Sequence, residues 1–228
     1  MKTLCSTNKP NININEYIDH TLLKANATNK EIINLCDEAK KMHFKSVCVN
    51  PSFISLAKKQ LEKTNVKICS VISFPLGAMT KTTKMFEAND AIKEGADEID
   101  MVANISHIKD HDYQYVEDEI KSIRKITKDK KIILKVIIET CLLTQEEISQ
   151  VSLICKKIGV DFVKTSTGFS KYGATTTDVA LIRKIVGKNI GVKASGGIHT
   201  YDEAMSMIKS GANRIGTSSG VTIINSKK

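Results

Sequence analysis

The feature that most constrains this chain is a regular alternation between short β-branched runs and longer amphipathic segments. The longer segments, such as EIINLCDEAKKM and QVSLICKKIG, carry apolar residues at i, i+3 and i+4, the spacing of one helix face. Strands that alternate with helices in this way are typical of parallel βα units. The predicted strands are Tyr17–His20, Ser46–Val49, Lys67–Ser73, Glu98–Val102, Ile132–Ile138, Asp161–Thr165, Gly191–Ala194 and Arg214–Gly216.

About eight such units without a linker favour a single closed (β/α)8 barrel of the TIM type. An open flavodoxin-like sheet needs only five or six strands and is the alternative. A weak repeat supports the βα units: AIKEGADEIDMV, ICKKIGVDFVKTS and MIKSGANRIGTSS each place a glycine between helix and strand, and Gly95, Gly159 and Gly211 are predicted to end helices. We expect residues 1–15 to form a flexible leader and residues 16–228 to form the catalytic barrel.

Composition argues against several classes of binding partner. The net charge is +9, but the lysines are spread along the chain beside acidic residues, as on solvated helix faces, and could also attract an anionic metabolite. Basic stripes interleaved with aromatics are missing, so no nucleic-acid partner is expected. No apolar run reaches the length of a membrane span, and the six cysteines form no CxxC pair. We therefore expect a cytoplasmic protein with free thiols, without a membrane partner, a metal or a cofactor.

Charged residues interrupt four predicted strands that should be apolar on both faces of a buried sheet. Lysine is rarely buried without a partner, so one such strand could reflect a structural ion pair, but four point to a site. In a barrel these side chains would meet near the end of the strands where active sites lie. The four residues are Asp100, Lys135, Lys164 and Lys193.

Such a cluster suits amine catalysis. A lysine is a nucleophile only when neutral, and a second ammonium group nearby lowers its pKa. Lys164 and Lys193 end neighbouring predicted strands, and Asp100 could move protons directly or through water. Which of the two lysines is the nucleophile does not follow from these residues alone.

Gly-rich loops follow the last predicted strands. Backbone N–H groups in such loops can approach a phosphate closely, although an isolated GG or SSG is more often a turn or cap. Two loops at the same end of a barrel favour a phosphate site. The two loops are ASGGI after Lys193 and GTSSG after Ile215, and Thr167 and Gly168, which follow Lys164, could supply further donors.

Several motifs together resemble the deoxyribose-phosphate aldolase family of class I aldolases. The resemblance extends from about residue 18 to 221, and the order and spacing of VKTSTGF, KASGGI and IGTSSG are its most specific part. The other matching motifs are IDHTLLK at 18–24, VCVNP at 47–51, SFPLGA at 73–78, EIDMV at 98–102, LKVIIET at 134–140 and GATTTDV at 173–179.

The resemblance implies reversible cleavage of 2-deoxy-D-ribose 5-phosphate to D-glyceraldehyde 3-phosphate and acetaldehyde, as in deoxynucleoside catabolism. It implies that Lys164 forms the Schiff base, Lys193 perturbs it and Asp100 is the acid–base residue. It also implies a homodimer. The phosphate ligands that it implies, mainly through backbone amides, are Gly168, Gly196, Gly197, Ser218 and Ser219, and the other positions that it implies in the pocket are Asp19, Thr21, Cys48 and Lys135. Many family members carry a C-terminal tyrosine that assists proton transfer, whereas no aromatic follows Tyr201 here, so another group is expected to serve or turnover to be slower.

Some alternatives stay open at this level. Cys48 could be a small buried side chain or a reactive thiol, and Glu139 at a predicted strand end could pair with a lysine. Another Schiff-base barrel, such as a transaldolase-like or fructose-phosphate enzyme, would transfer dihydroxyacetone rather than accept acetaldehyde. A phosphate-binding barrel without catalysis would have no use for the lysine cluster.

Overall fold

The predicted barrel is confirmed. The computed structural model describes residues 12–226, in which eight parallel strands close into one barrel in the order of the chain. The alternative of an open flavodoxin-like sheet is therefore wrong. The strands are β1 Ile18–Leu22, β2 Ser46–Val49, β3 Lys67–Ile72, β4 Glu98–Val102, β5 Ile133–Ile137, β6 Phe162–Lys164, β7 Gly191–Ser195 and β8 Arg214–Thr217.

Helices separate the strands and surround the barrel. Several begin at a threonine that caps the backbone of a glutamate three residues later, and the T-x-x-E pattern forms full capping boxes at Thr28, Thr144 and Thr200. The α-helices are α1 Asn29–Met42, α2 Ile54–Gln60, α3 Lys81–Glu94, α4 Ile105–Lys109, α5 Tyr113–Asp129, α6 Gln145–Ile158, α7 Thr176–Val186, α8 Tyr201–Lys209 and α9 Gly220–Asn225. No described helix has the length and apolarity that a bilayer crossing requires.

The strand predictions differ from the structure only at their ends. Tyr17 belongs to a short 3-10 helix, Ile14–Tyr17, and Ser73 adopts a left-handed conformation with φ 52° after β3. Strand β6 begins one residue later than predicted, at Phe162, and the Asp161 carboxylate just before it accepts from Arg124 and from the Leu134 backbone N–H. Gly95 and Gly159 end α3 and α6 in the left-handed conformation. Gly211, with φ 113°, lies one residue beyond Ser210, the C-cap of α8. Most of the leader predicted for residues 1–15 lies outside the described residues.

Apolar packing is divided unequally between the two faces of the barrel. The large core fills the space between the strands and the helices, whereas a small apolar cluster of Leu23, Cys48, Cys69 and Val71 lies inside the barrel. Outward-facing Val and Ile side chains therefore supply most of the burial that stabilises the fold. The remaining interior of the barrel is left to polar side chains.

One buried ion pair fixes two helices to the end of β4. The Lys84 ammonium of α3 lies 2.8 Å from the Glu119 carboxylate of α5 and donates to the Val102 carbonyl at 2.8 Å. The other oxygen of Glu119 accepts the backbone N–H of Asn104 at 3.0 Å. Burial lowers the pKa of Lys84 and raises that of Glu119, so each charge needs its partner. The pair thereby holds the end of the strand that carries Asp100.

Replacing Lys84 with methionine is expected to lower the free energy of unfolding by about 3–5 kcal/mol, because Glu119 would remain buried without its partner. Lys81→Met, on the exposed first turn of the same helix, should change it by less than about 0.5 kcal/mol. Urea unfolding followed by circular dichroism measures both. Equal stability of the two variants would show that the buried pair contributes nothing.

Candidate active site

A charged network fills the middle of the barrel. Residues paired in register on parallel strands face the same side, and the register carries this interior face from β1 around to β8. Buried ionised groups are stable only when paired, and here each ion contacts at least one opposite charge. The members are Asp19 of β1, Glu98 and Asp100 of β4, Lys135 of β5, Lys164 of β6, Lys193 of β7 and Arg214 of β8.

Asp100 is the centre of this network. Its Oδ1 accepts from the Lys135 ammonium at 2.7 Å, and its Oδ2 accepts from Lys164 and Lys193 at 2.8 Å each. Burial opposes the charge of this carboxylate, but the three ammonium groups outweigh it and hold the pKa of Asp100 well below its usual value. Asp100 is therefore a carboxylate at neutral pH, in contact with three proton donors.

Lys193 is held between two carboxylates. Its Nζ lies 2.6 Å from Asp19 Oδ2 and 2.8 Å from Asp100 Oδ2. Burial disfavours the ammonium, but Asp100 and Asp19 outweigh it and raise the pKa of Lys193. The reverse holds for Asp19, since burial opposes its charge while Lys193 and Arg214 lower its pKa. Lys193 is therefore a permanent cation beside Lys164, with which it pairs in register.

A cavity of about 360 Å³ lies over the network at the carboxyl ends of the strands. Of the three interior lysines, Lys164 reaches its lining, whereas Lys135 and Lys193 are fully buried. The expectation that Asp19, Cys48 and Lys135 line the pocket is not met, because these side chains are also fully buried beneath it. The sequence-predicted residues that do line it are Thr21, Lys164, Thr167, Gly168, Gly196, Gly197 and Ser218.

Unpaired backbone N–H groups gather at one side of this cavity. Within residues 12–226, no protein acceptor takes the N–H of Gly168, Gly196, Gly197 or Ser218. Polar groups without a partner at a cavity wall are suited to a ligand, and convergent N–H groups favour an anion. Ser219 is not part of this wall, since its hydroxyl bonds to the His199 ring at 3.1 Å and its N–H to Thr217.

Gly196 is the position where this wall is most constrained. Its φ is 81°, and a Cβ there would lie 3.0 Å from Gly173 Cα and 3.3 Å from Gly168 Cα. Any side chain would therefore press on the Gly168 segment of the wall, in addition to the strain of the left-handed conformation. The loops after β6 and β7 approach this closely only because glycines meet there.

Glu139 holds the loop after β6 from below. It is a buried residue with φ 53°, and its carboxylate accepts the Thr167 N–H at 3.2 Å and the Thr167 hydroxyl. The Thr167 hydroxyl accepts in turn from the Phe169 N–H at 3.0 Å. The lysine partner considered for Glu139 is thus replaced by a loop backbone. A backbone strained at a non-glycine residue is consistent with a functional constraint.

Two interior cysteines, Cys48 and Cys69, have their sulfurs within 4.8 Å of each other. The Cys69 thiol donates to Asp100 Oδ1 at 3.1 Å, and its closeness to Cys48 lowers the pKa of Cys48 to about 7 against the effect of burial. Cys48, Cys69 and Asp100 also offer three potential metal donors within 4.8 Å of one another. A metal ion there would have to displace ammonium contacts of Asp100, so the donor set is poorly suited to one.

Sequence reasoning missed Glu98, Arg214, Lys24 and His199. Lys24 and His199 line the cavity from exposed loop positions, where nothing in the sequence distinguishes them from solvated residues. Glu98 did carry a signal, because it lies two residues before Asp100 and therefore on the same face of β4. Arg214 carried another as a charged residue at the start of a buried strand.

Comparison with known proteins gives one consistent result. Residues 14–226, which include all eight strands, match the model of the DeoC/LacD family aldolase. A deoxyribose-phosphate aldolase of Finegoldia magna is 56% identical over 211 residues, which cover 92% of this chain and 98% of that protein. One of Thermococcus gammatolerans is 54% identical over 215 residues, covering 93% and 96%. A solved deoxyribose phosphate aldolase of Aeropyrum pernix, described as a unique tetramer, has a TM-score of 0.87 at 34% identity, with 93% of this chain and 90% of that one covered.

Proposed function

Since this chain belongs to the DeoC/LacD family of aldolases, we propose that it reversibly cleaves 2-deoxy-D-ribose 5-phosphate to D-glyceraldehyde 3-phosphate and acetaldehyde through an imine on Lys164. The observation that carries the proposal is the position of Lys164, whose amine reaches the cavity while Asp100 and Lys193 lie behind it. A binder without chemistry would gain nothing from burying this cluster, whose ions cost desolvation energy.

The reaction begins when the neutral Lys164 amine attacks the aldehyde carbon, C1, of the open-chain sugar. Loss of water gives an iminium ion, which is the electron sink. A base then removes the C3 hydroxyl proton, the C2–C3 bond breaks, and its electron pair forms the enamine as D-glyceraldehyde 3-phosphate leaves. Protonation of the enamine at C2 and hydrolysis release acetaldehyde and restore the Lys164 amine.

Two neighbours of Lys164 have distinct proposed roles. Lys193 stays an ammonium between Asp19 and Asp100, so its positive charge favours the neutral form of Lys164. Asp100 contacts both ammonium groups through one oxygen and is proposed to pass protons between the network and the substrate, with an ordered water as intermediary. The pair thus supplies the neutral nucleophile and the proton transfer.

The phosphate is proposed to bind the N–H groups of Gly168, Gly196, Gly197 and Ser218. A hydrogen-bonded anion at this wall would fix the distance of C1 from Lys164, which is how binding energy remote from the reacting bond promotes catalysis. The homodimer and the cytoplasmic location remain predictions.

Gly196→Ala is expected to raise the KM for 2-deoxyribose 5-phosphate by about tenfold or more, because its methyl group would press on the Gly168 segment. The kcat/KM for unphosphorylated 2-deoxyribose should change much less, since that sugar makes no phosphate contacts. Gly159→Ala is the matched control, with a similar left-handed φ of 75° and no atom near the added methyl group. If Gly196→Ala lowers kcat/KM equally for both sugars, the phosphate binds elsewhere.

The direct test is reduction with borohydride in the presence of 2-deoxyribose 5-phosphate, followed by peptide mapping. We expect an adduct on Lys164. Failure to trap any lysine, in protein with native circular dichroism, would refute the Schiff-base reaction. A panel that includes dihydroxyacetone donors distinguishes this substrate from those of a transaldolase-like enzyme.

A further inference from the structure

A second tier of the charged network lies beneath the lysines, out of reach of the cavity. The Arg214 guanidinium donates through one nitrogen to Asp19 Oδ1 and through another to Glu98 Oε1, at 2.5 Å each. Its flat face lies 5.6 Å from the centre of the Phe162 ring. Arg214 is 3% exposed, Glu98 is fully buried, and neither lines the cavity. No substrate group can therefore touch them.

Two chains of contacts connect this tier to Lys164. From Arg214 the chain passes through Asp19 and Lys193 to Asp100, and every link is 2.8 Å or shorter. From Glu98 it passes through Lys135, at 2.6 Å, to Asp100 at 2.7 Å. Both chains end at the carboxylate that Lys164 contacts at 2.8 Å. Removing a charge from the lower tier therefore changes the electrostatic potential at the Lys164 amine.

The charge count of the network is uneven. Four cations, Lys135, Lys164, Lys193 and Arg214, face three carboxylates, Asp19, Glu98 and Asp100, which leaves one positive charge in excess. Loss of one proton makes the whole network neutral. Lys164 is the cation best placed to lose it, because it contacts a single carboxylate and meets the cavity, whereas Lys193 and Lys135 each contact more than one.

We propose that Glu98 and Arg214 are positioning residues whose charges set the pH range in which Lys164 becomes the neutral nucleophile. The inference rests on the proposed function, in which Lys164 forms the imine. In a water-poor interior a full charge acts over several ångströms with little screening, so distance from the substrate does not remove its effect. The two residues act in opposite directions, since Glu98 favours the ammonium form of Lys164 and Arg214 the neutral form.

Every strand presents a titratable or charged group to this interior, and each of these groups can affect the titration of Lys164. Cys48 is the group most able to lose a proton in place of Lys164, since the pKa of its thiol is lowered to about 7. The remaining groups are Asp19, Cys69, Glu98, Asp100, Lys135, Lys193 and Arg214. Measurements are therefore repeated in a Cys48→Ala background, which removes the thiol proton from the titration.

The test compares the pH midpoint of Lys164 in four variants. Glu98→Gln leaves two positive charges in excess, and its midpoint should fall by on the order of one pH unit. Arg214→Gln leaves none in excess, and its midpoint should rise by a similar amount. Glu98→Gln/Arg214→Gln restores the excess of one, and Arg214→Lys keeps the charge, so both should return close to the parent. A merely structural role would not produce opposite shifts that cancel.

Two readouts keep this inference distinguishable from the proposed function. Borohydride trapping with 2-deoxyribose 5-phosphate between pH 5 and 10 gives the midpoint for imine formation. Competitive acylation by acetic anhydride, mapped by mass spectrometry, gives the midpoint of the Lys164 amine without turnover. If the parent traps substrate on Lys164 but its midpoint is the same in Glu98→Gln and in Arg214→Gln, the inference is wrong and the function stands. If Arg214→Gln does not fold, the midpoint of Glu98→Gln is compared with that of the double variant, which should lie higher and close to the parent.

Discussion

Lys164→Met is expected to abolish the borohydride adduct and to lower aldol cleavage by about 10⁴-fold or more, because Lys135 and Lys193 are fully buried beneath the cavity and Lys24 lines it only as an exposed loop residue. Methionine keeps the length of the stem without the nucleophile. The change also removes the one cation in excess, so the three remaining cations still balance three carboxylates. The variant should therefore fold, and its loss of activity reports chemistry rather than stability.

Lys171→Met is the control for this loss. Lys171 is an exposed residue of the loop that follows Thr167, so it tests whether a nearby lysine contributes amine chemistry. Coupled oxidation of the released D-glyceraldehyde 3-phosphate measures the rate, and thermal unfolding monitors the fold. Near-normal turnover of folded Lys164→Met would show that another lysine forms the imine.

The fold could be predicted because its signals are local. Parallel strands buried by helices read as short β-branched runs, and all eight were placed within two residues of their true ends. The charged residues inside such runs, Asp100, Lys164 and Lys193, also marked the site, because a charge in a buried strand needs a partner. The sequence supports both conclusions without any knowledge of which strands meet.

The partners and their depth could not be predicted in the same way. Arg214 contacts Asp19 across 195 residues and Glu98 across 116, and only closure of the barrel brings them together. Alternation along a strand indicates which side chains face the interior but not how far each lies from the cavity. Lys135, which the family resemblance implied at the pocket wall, lies beneath it. Glu139 was considered as a lysine partner, but its contact with the Thr167 loop could not be predicted, because its left-handed backbone is a tertiary property.

Asp100→Asn is expected to separate imine formation from turnover. Without this carboxylate the ammonium form of Lys164 loses its one contact partner, so its amine should become neutral at lower pH. An adduct should therefore still form on Lys164. Turnover should fall by about 10²–10⁴-fold, because the group proposed to pass protons is gone. Asp90→Asn, on the exposed face of α3, controls for the loss of a carboxylate. Loss of the adduct together with turnover would mean that Asp100 acts before the imine forms.

The same variant tests the energetic role of Asp100. Three ammonium groups would face an amide, so the free energy of unfolding at pH 7 should fall by about 3–5 kcal/mol. Because the folded-state pKa of Asp100 lies well below the ordinary 3.8, its carboxylate stabilises the fold above that pH, and the contribution disappears as pH falls further. Stability of the parent should thus decline below pH 4, and that of Asp100→Asn should decline less. Parallel acid curves for the two proteins would mean that the ammonium groups do not hold Asp100 charged.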